Sequence, residues 1–369
     1  MNASIEKLLE LAIRIQQIPA PTFDEGARSA FVQELLAQEG LVDVASDTIG
    51  NVYARLPGQG KAPPLVVSAH LDTVFPAGTA LDCHREGDQL FGPGIGDNSL
   101  GVAALFGLLW GLRQHRSELA GDIWLAANVG EEGLGNLRGM LALVDRFGGG
   151  VTGYLVIEGT ALAHIYHRAI AVQRYRVTVR TAGGHSWSDY GQPSAIHELA
   201  RIVTQITSLP LPSSPRSSLN VGVISGGTGV NVVAPEAKLE LDIRSESAEA
   251  LDGLLQRVKA IVQSADREGV SSTMELIGQR PAGHLSEAHP LVKLAEQCLI
   301  EQGLKASFTS GSTDANIPLS RGYPALVLGV TTGGGAHTVQ EYIDVPPVEA
   351  GMAQLVSFAE RAFNPPPAR

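Results

Sequence analysis

The chain has 369 residues, and its composition and charge exclude several classes of protein. At roughly 150 residues per domain, this length predicts two domains. With 44% hydrophobic and 18% charged residues, the chain can bury a sizeable core and is not of the disordered class. The net charge of −11 argues against a nucleic-acid partner. The two cysteines, Cys83 and Cys298, can form neither a disulfide framework nor a cysteine-based zinc finger.

Membrane and export signals are weak. The longest nearly apolar run, residues 101–112, is too short to span a bilayer. The first residues follow an amphipathic pattern that includes Glu6, Lys7 and Glu10, unlike the apolar segment of a signal peptide. We therefore expect a soluble, cytoplasmic protein with no membrane partner.

Strand-like and helical segments alternate through the first half of the chain. Short apolar runs at 65–68, 123–129 and 154–157 are typical of buried strands in a mostly parallel sheet. Segments with helical periodicity, at 101–113 and 138–147, separate these runs. This alternation predicts an α/β sandwich with helices on both faces of the sheet.

The pattern changes near residue 169. Residues 172–181 alternate with period two, as a half-exposed strand does. The segments that follow are predicted in the order helix, strand, strand, helix and strand, which completes a ferredoxin-like α+β module. Their ranges are 193–209, 218–224, 237–244, 248–268 and 272–277.

The end of the chain returns to the first pattern. A helix is predicted at 289–303 and a buried strand at 324–330. The simplest interpretation is a discontinuous α/β domain formed by residues 1–168 and 283–369, with residues 169–282 inserted as a second domain.

Acidic and histidine side chains follow several predicted strands or lie in glycine-rich loops. Ligands of open α/β sheets gather at the carboxyl ends of the strands. A helix cap or a solvated turn explains any one of these residues, but not all of them together. The residues are His70, Asp72, Asp97, Glu131, Glu132, Glu158 and His337.

The residue types in this set indicate a metal site. Two histidines, several carboxylates and no thiolate suit Zn²⁺, Co²⁺ or Mn²⁺. Asp72 lies two residues beyond His70, so an extended backbone would place both on one side and let the carboxylate hold the imidazole. Glu131 and Glu132 are adjacent and should diverge, so that one can bind metal while the other acts as a general base.

Six motifs occur at these and neighbouring positions: SAHLDTV (68–74), GPGIGDNSLG (92–101), GEEG (130–133), IEG (157–159), GGHS (183–186) and GGGAH (333–337). Together they resemble the co-catalytic dizinc metallopeptidase family. That family includes glutamate carboxypeptidase, peptidase T-like tripeptidase, aminoacylase, acetylornithine deacetylase and succinyl-diaminopimelate desuccinylase. The resemblance extends over nearly the whole chain. It implies a zinc-exopeptidase-like catalytic domain and an inserted domain that serves as lid and dimerisation domain.

The resemblance also implies the metal ligands. Two Zn²⁺ ions would bind per subunit, with Co²⁺ or Mn²⁺ as substitutes. His70 and Glu158 would bind one ion, Glu132 and His337 the other, and Asp97 would bridge both. A cis peptide would follow the bridging aspartate, where many members of the family have a second aspartate instead of asparagine.

Further roles are implied outside the ligand set. Glu131 would be the general base, and Asp72 would orient the neighbouring histidine ligand. In the inserted domain, His185 would help to stabilise the oxyanion, often across the interface of a homodimer. Asn231 and Arg244 would hold the carboxylate of the substrate.

Two substrate classes remain open within this chemistry. The first is an exopeptidase of short peptides, which HLDTVFPAG and SGSTDAN (310–316) favour. The second is a deacylase of N-acyl amino acids, because Glu158 is typical of deacylases and peptidases tend to have aspartate there. We prefer the exopeptidase. A non-catalytic scaffold would lack a ligand or the base, and none is missing. Complete HExxH, dinucleotide-loop and GxSxG motifs do not occur.

Overall fold

The computed structural model describes residues 3–365, and the chain divides into two compact units. The main unit is formed by Met1–Ala169 together with Gly283–Arg369, and the inserted unit is Ile170–Ala282. The main unit holds a mixed sheet between helices, and the inserted unit holds a smaller antiparallel sheet.

Most predicted helices differ from the observed ones by only a few residues. The helix predicted at 248–268 ends at Ser264, because the residues that follow turn into the next strand and Gly269 adopts a φ of 77°. In the described residues the helices are α1 Ala3–Gln16, α2 Gly26–Gln38, α3 Leu100–Gln114, α4 Arg138–Phe147, α5 Ala195–Thr207, α6 Ala248–Ser264, α7 Pro290–Glu301, α8 Asn316–Ser320 and α9 Val348–Arg361.

The strands include several that the sequence pattern did not predict, mainly short or half-exposed ones. In chain order they are β1 Val42–Ser46, β2 Val52–Leu56, β3 Leu65–His70, β4 His84–Glu86, β5 Gln89–Phe91, β6 Ile123–Asn128, β7 Gly153–Glu158, β8 His164–Ala169, β9 Ala171–Thr181, β10 Gly184–His185, β11 Ser217–Gly226, β12 Val232–Val233, β13 Glu236–Ser245, β14 Val270–Arg280, β15 Gly283–His284, β16 Ser307–Gly311, β17 Ala325–Gly329, β18 Gly333–Gly334 and β19 Tyr342–Asp344.

The large sheet of the main unit has the order β1-β2-β6-β3-β7-β17-β8-β15, with β16 paired to β8. Its centre is parallel, since β3 pairs in parallel with β6 and β7, and β7 with β17. The flanking strands β1, β2 and β15 are antiparallel to their neighbours. The prediction of a mostly parallel sheet therefore describes the centre but not the edges.

Both faces of this sheet are covered by helices, as predicted. Along β3, Leu65 and Val67 belong to one buried cluster, which includes residues of α1, α3, α7 and α9. Val66 belongs to a second cluster, which includes residues of α4 and α8. Because alternate side chains of a strand point to opposite faces, the two clusters lie on the two faces of the sheet. The main unit is therefore an α/β sandwich.

Helix α3 is the most apolar helix of the main unit. Together with the turn before it, Ile95–Gln114 is long and apolar enough to cross a membrane by length and composition, and it extends beyond the nearly apolar run at 101–112 that is too short to do so. Of the most apolar 18-residue stretch within this segment, 78% is buried inside the protein. The helix packs against α1 and α9, as the core helix of a sandwich does.

The inserted unit has the predicted ferredoxin-like order. Its sheet runs β11-β13-β9-β14, all antiparallel, and α5 and α6 pack on it through one buried cluster. Strand β13 pairs with β9 from Glu236 opposite Arg180 to Arg244 opposite Val172. A ribbon of β10 and β12 follows the Arg180 end of β9.

Candidate active site

Two groups of side chains meet in the main unit and share one aspartate. His70 Nε2 lies 3.1 Å from Asp97 Oδ1 and 3.7 Å from Glu158 Oε2. His337 Nε2 lies 3.0 Å from Asp97 Oδ2 and 3.2 Å from Glu132 Oε1. In each group the ligand atoms all lie within 4.8 Å of one another. The structure therefore brings together all five predicted metal ligands, with Asp97 between the two groups.

The central strands place the first group. His70 ends β3 and Glu158 ends β7, and these strands pair in parallel, so both side chains emerge at the same edge of the sheet. Asp97 is joined to Asn98 by the expected cis peptide. The Asn98 amide donates to Ile157 O at 2.8 Å and accepts from the Gly159 main-chain N–H at 3.0 Å. An asparagine can make both contacts, which tie the Asp97 loop to the end of β7.

Burial and mutual contacts shift the pKa values of this cluster. Burial raises the pKa values of Glu132 and Glu158 to about 7, although His337 and His70 oppose the shift. Burial would also raise the pKa of Asp97, but hydrogen bonds with the two histidines hold it below its ordinary value. Contacts with Asp97 and Glu132 raise the pKa of His337 to about 10. A divalent cation at this cluster would have to displace the protons of Glu132, Glu158 and His337, so its affinity would rise with pH.

Asp72 acts mainly on the backbone of the two glutamates. Its carboxylate accepts the main-chain N–H groups of Glu131 and Glu132, both at 2.9 Å, and the Thr22 hydroxyl at 2.9 Å. His70 Nδ1 lies 3.0 Å from the main-chain oxygen of Asp72 and 3.7 Å from its carboxylate. The main chain at Asp72 is thus nearer to the imidazole than the carboxylate that the sequence analysis expected to orient it.

Glu131 is 6% exposed and stands next to the ligand group without belonging to it. Asp314 of the SGSTDAN segment is fully buried, and its Oδ2 accepts from Asn128 Nδ2 at 2.7 Å. Burial first, and the charge of Glu131 second, raise the pKa of Asp314 to about 8. The charge of Glu131 therefore acts on the buried Asp314 as well as on the ligands Glu132 and Glu158.

Residues near the N-terminus support the site, and sequence reasoning missed them. Arg28 is 2% exposed and donates to the main-chain oxygen of Leu71 at 2.7 Å. Burial lowers its pKa to about 10. Glu25 accepts from Arg138 at 2.7 and 2.9 Å, and the Arg138 side chain lies against Gly130, which precedes the two glutamates. Arg28 reaches a main-chain oxygen, and Glu25 and Arg138 are more than 100 positions apart in the chain, so no local motif of residue types indicates these contacts.

Two candidates of the inserted unit lie side by side. The main-chain N–H of Ser186 donates to the Asn231 main-chain oxygen at 3.0 Å, and His185 pairs with Val232. His185 is exposed, and its main-chain N–H donates to Asp189 Oδ2 at 2.7 Å. The loop therefore presents the imidazole on a fixed backbone.

Arg244 lies at the other end of the inserted sheet. Its Nε donates to Asp242 Oδ1 at 2.6 Å, so the guanidinium is already paired on its own strand. Arg244 on β13 lies opposite Val172, near the start of β9, whereas His185 follows the other end of β9, which is Thr181. The inserted unit thus keeps Arg244 apart from the other two candidates.

A buried α/β sheet edge with two metal-ligand groups and an adjacent carboxylate defines a metal-dependent hydrolase. The family described as Peptidase family M20/M25/M40 matches residues 66–361, and the chain belongs to this family. The resemblance seen in the motifs is thereby confirmed.

Relatives and solved structures agree with this assignment. Succinyl-diaminopimelate desuccinylase of Gluconacetobacter diazotrophicus is 24% identical over 96% of this chain and 97% of its own length. A tripeptidase from Staphylococcus aureus has a TM-score of 0.82 at 20% identity, covering 97% of this chain and 98% of that one. The aminopeptidase PepT from Bacillus cereus has a TM-score of 0.78 at 20% identity with the same coverage. The fold is shared along nearly the whole chain.

Proposed function

We propose that the protein is a cytoplasmic exopeptidase that hydrolyses the amide bond of short peptides with a free carboxylate, using two Zn²⁺ ions per subunit. The observation that carries this proposal is the pair of ligand groups sharing Asp97, with Glu131 beside them. A site for a single ion would not need a carboxylate whose two oxygens face different histidines.

The five ligands fit two divalent cations. Each group offers one histidine nitrogen and carboxylate oxygens, the donors that zinc takes, and Co²⁺ or Mn²⁺ could replace it. Divalent ions held there supply Lewis acidity, which polarises a carbonyl and lowers the pKa of water toward ~7.

The residues of the chain then handle the proton. Glu131 accepts a proton from the attacking water while the oxygen of that water bonds to the carbonyl carbon of the substrate. Glu131 then returns the proton to the leaving amine as the C–N bond breaks. Asp72 supports this step by fixing the main-chain N–H groups of residues 131 and 132. His185 would donate a hydrogen bond to the oxyanion, and Asn231 and Arg244 would bind the substrate carboxylate.

A second candidate is an N-acyl-amino-acid deacylase. Glu158 and the likeness to a desuccinylase favour it, whereas the HLDTVFPAG and SGSTDAN segments favour the exopeptidase. The test is zinc- or cobalt-loaded protein assayed with di- and tripeptides, their C-terminal amides, and N-acetyl and N-succinyl amino acids. We expect free-carboxylate peptides to be cleaved at least ten times faster than the others. Faster cleavage of acyl amino acids would favour the deacylase, and cleavage of none would contradict amide hydrolysis.

We also propose a homodimer in which His185 acts on the site of its partner. Glu236 and Arg244 are eight positions apart on β13, which is roughly 26 Å in an extended strand, and His185 lies near the Glu236 end. One copy of this sheet spans too far to offer both His185 and Arg244 to one small substrate, whereas two copies can offer one each.

Mixing two inactive variants tests the dimer. His185→Ala subunits combined with Glu131→Gln subunits should recover activity, up to about a quarter of the wild type after random exchange, because each mixed dimer holds one intact site. Exchange without recovered activity, or sedimentation as a monomer at all concentrations, would contradict the proposal.

A further inference from the structure

One buried carboxylate of the main unit has no part in the chemistry above. Glu341 is 1% exposed and accepts three main-chain N–H groups: Gly94 at 2.9 Å, Gly96 at 2.7 Å and Asp97 at 2.7 Å. Two of these donors share Oε1 and the third reaches Oε2. Only a carboxylate accepts at both ends, because the amide nitrogen of a glutamine would face an N–H donor.

The glycines of the GPGIGDNSLG loop allow this close approach. A Cβ on Gly96 would lie 3.1 Å from Glu341 Oε1 and 2.5 Å from Thr160 Cγ2. Gly94 adopts a φ of 74°, which aims successive N–H groups at one point. The loop thus surrounds a carboxylate of its own chain, in the way that backbone nests bind anions.

Strand pairing places Glu341 beside this loop. The residue precedes β19, which pairs with β5 just before the loop, with Ile343 opposite Leu90. On its other side β19 pairs with β18, with Gly334 opposite Tyr342, and His337 lies in the connection between them. One side chain therefore joins the loop of the shared ligand to the hairpin of another ligand.

His337 needs such support more than the other histidine. Its side chain is 54% exposed and its backbone has a φ of 65°, whereas His70 is 1% exposed at the end of a central strand. Left-handed backbone at a residue other than glycine is costly and persists only where the surroundings fix it. The ligand group of Asp97, Glu132 and His337 therefore takes two of its three ligands from loops next to Glu341. Glu341 accepts hydrogen bonds from the Asp97 loop and lies in the hairpin that carries His337.

We propose that Glu341 is a positioning residue that fixes the Asp97 loop to the His337 hairpin, and that the ion held by Asp97, Glu132 and His337 depends on it. The inference rests on the proposed dinuclear site. The ion held by His70 and Glu158 depends on it less, because two of its three ligands end central strands.

The test measures Zn²⁺ binding by calorimetry and metal analysis on the full chain. Wild-type protein should bind two ions. Glu341→Gln should bind the first nearly as tightly and the second ten- to a hundred-fold more weakly, the usual effect of losing a residue that supports ligands. Asp344→Asn is the matched control. It removes a carboxylate three residues away that bonds Gln89 and Thr332, and it should bind two ions like the wild type.

The outcomes separate this inference from the proposed function. A wild type that binds a single ion contradicts the dinuclear site itself. A wild type with two ions and a folded Glu341→Gln with unchanged second affinity overturns the role of Glu341. If that variant does not fold, Glu341→Asp, which keeps the charge but shortens the reach, takes its place under the same criterion. Hydrogen exchange on the wild type tests the premise without any variant. The amides of residues 94, 96 and 97 should be protected, and exchange at the rate of an open loop overturns the inference.

Discussion

The two units present their candidate residues in opposite ways. In the main unit, Glu131 and Glu132 are each 6% exposed, and backbone hydrogen bonds to a buried aspartate hold both. In the inserted unit His185 and Asn231 are exposed, and Arg244 is engaged by a neighbour on its own strand. The main unit thus holds a preorganised centre, while the inserted unit offers groups that need another surface to act.

This contrast has a physical basis. Carboxylates and imidazoles can be buried together because each satisfies the other, and their pKa values record the cost of burial. A group that must meet the substrate and then leave it cannot be satisfied permanently inside the fold. We therefore expect changes to the candidate residues of the main unit to affect metal binding, stability or turnover. Changes to those of the inserted unit should affect substrate binding and turnover but leave metal binding intact.

The largest effect is expected from Glu131→Gln. Turnover should fall by ~10² to 10⁴-fold or more, because the general base is lost, while metal content stays at the wild-type value. Glu132→Gln is the paired control, since it removes a ligand of the same size and should lower metal content. Kinetics and metal analysis of both variants check this. Equal metal content in the two would contradict the division of roles between these neighbours.

A smaller loss is expected from His185→Ala. If the imidazole donates to the oxyanion, kcat should fall by ~10² to 10³-fold, as for the loss of one oxyanion donor. Metal stoichiometry and the melting temperature should match the wild type, because the side chain is exposed. A variant that loses metal or melts earlier would break the contrast between the two units.

Thr22→Val should reduce kcat by about tenfold, since it removes a hydrogen bond to the charged Asp72 worth ~1.5 to 3 kcal/mol. Thr22→Ser keeps the hydroxyl and should restore the rate. Ser29→Ala is a matched control, because its hydroxyl donates at 2.8 Å to Gly50 O, away from the ligands. Unchanged kcat in Thr22→Val would show that Asp72 holds the glutamates without help from the N-terminal segment.

The smallest effect concerns stability and pH in chelator-treated protein. Glu132 and Glu158 have pKa values raised from 4.5 to about 7, so between these values the folded chain binds protons that the unfolded chain releases. Stability therefore falls as pH rises in this window, by about 1.4 kcal/mol per pH unit for each fully linked proton. The pKa of His337 is raised from 6.5 to about 10, so this residue also makes stability fall as pH rises above 6.5. Its contribution is smaller because its side chain is exposed to solvent.

Melting temperatures of chelated and zinc-loaded protein between pH 5 and 9 check this prediction. The melting temperature of the chelated protein should fall as pH rises. The increase in melting temperature that zinc produces should become larger over the same range. A melting temperature of the chelated protein that rises across this range would contradict the assignment of raised carboxylate pKa values.

Much of the main unit could be predicted from the sequence by itself. The central strands are buried on both faces, so their residues form continuous apolar runs, and the polar residues that end them stand out. His70 and Glu158 were identifiable for this reason, and the inserted module for its period-two alternation. The edge strands β1 and β4 are short and largely exposed, and they carry no such pattern; β5 has only three residues, too few to show one.

Only the tertiary structure decided what surrounds the ligands. Thr22, Arg28 and Glu341 reach the site through hydrogen bonds to carboxylate oxygens or main-chain atoms tens to hundreds of positions away. The tertiary structure also showed that Asp72 grips the backbone of two glutamates and that Arg244 lies far along β13 from His185. Backbone N–H and C=O groups are the same at nearly every residue, so contacts to them leave no trace in the order of side chains. Residue types determined which groups can bind metal, and the packing of strands and loops determined which groups hold them in place.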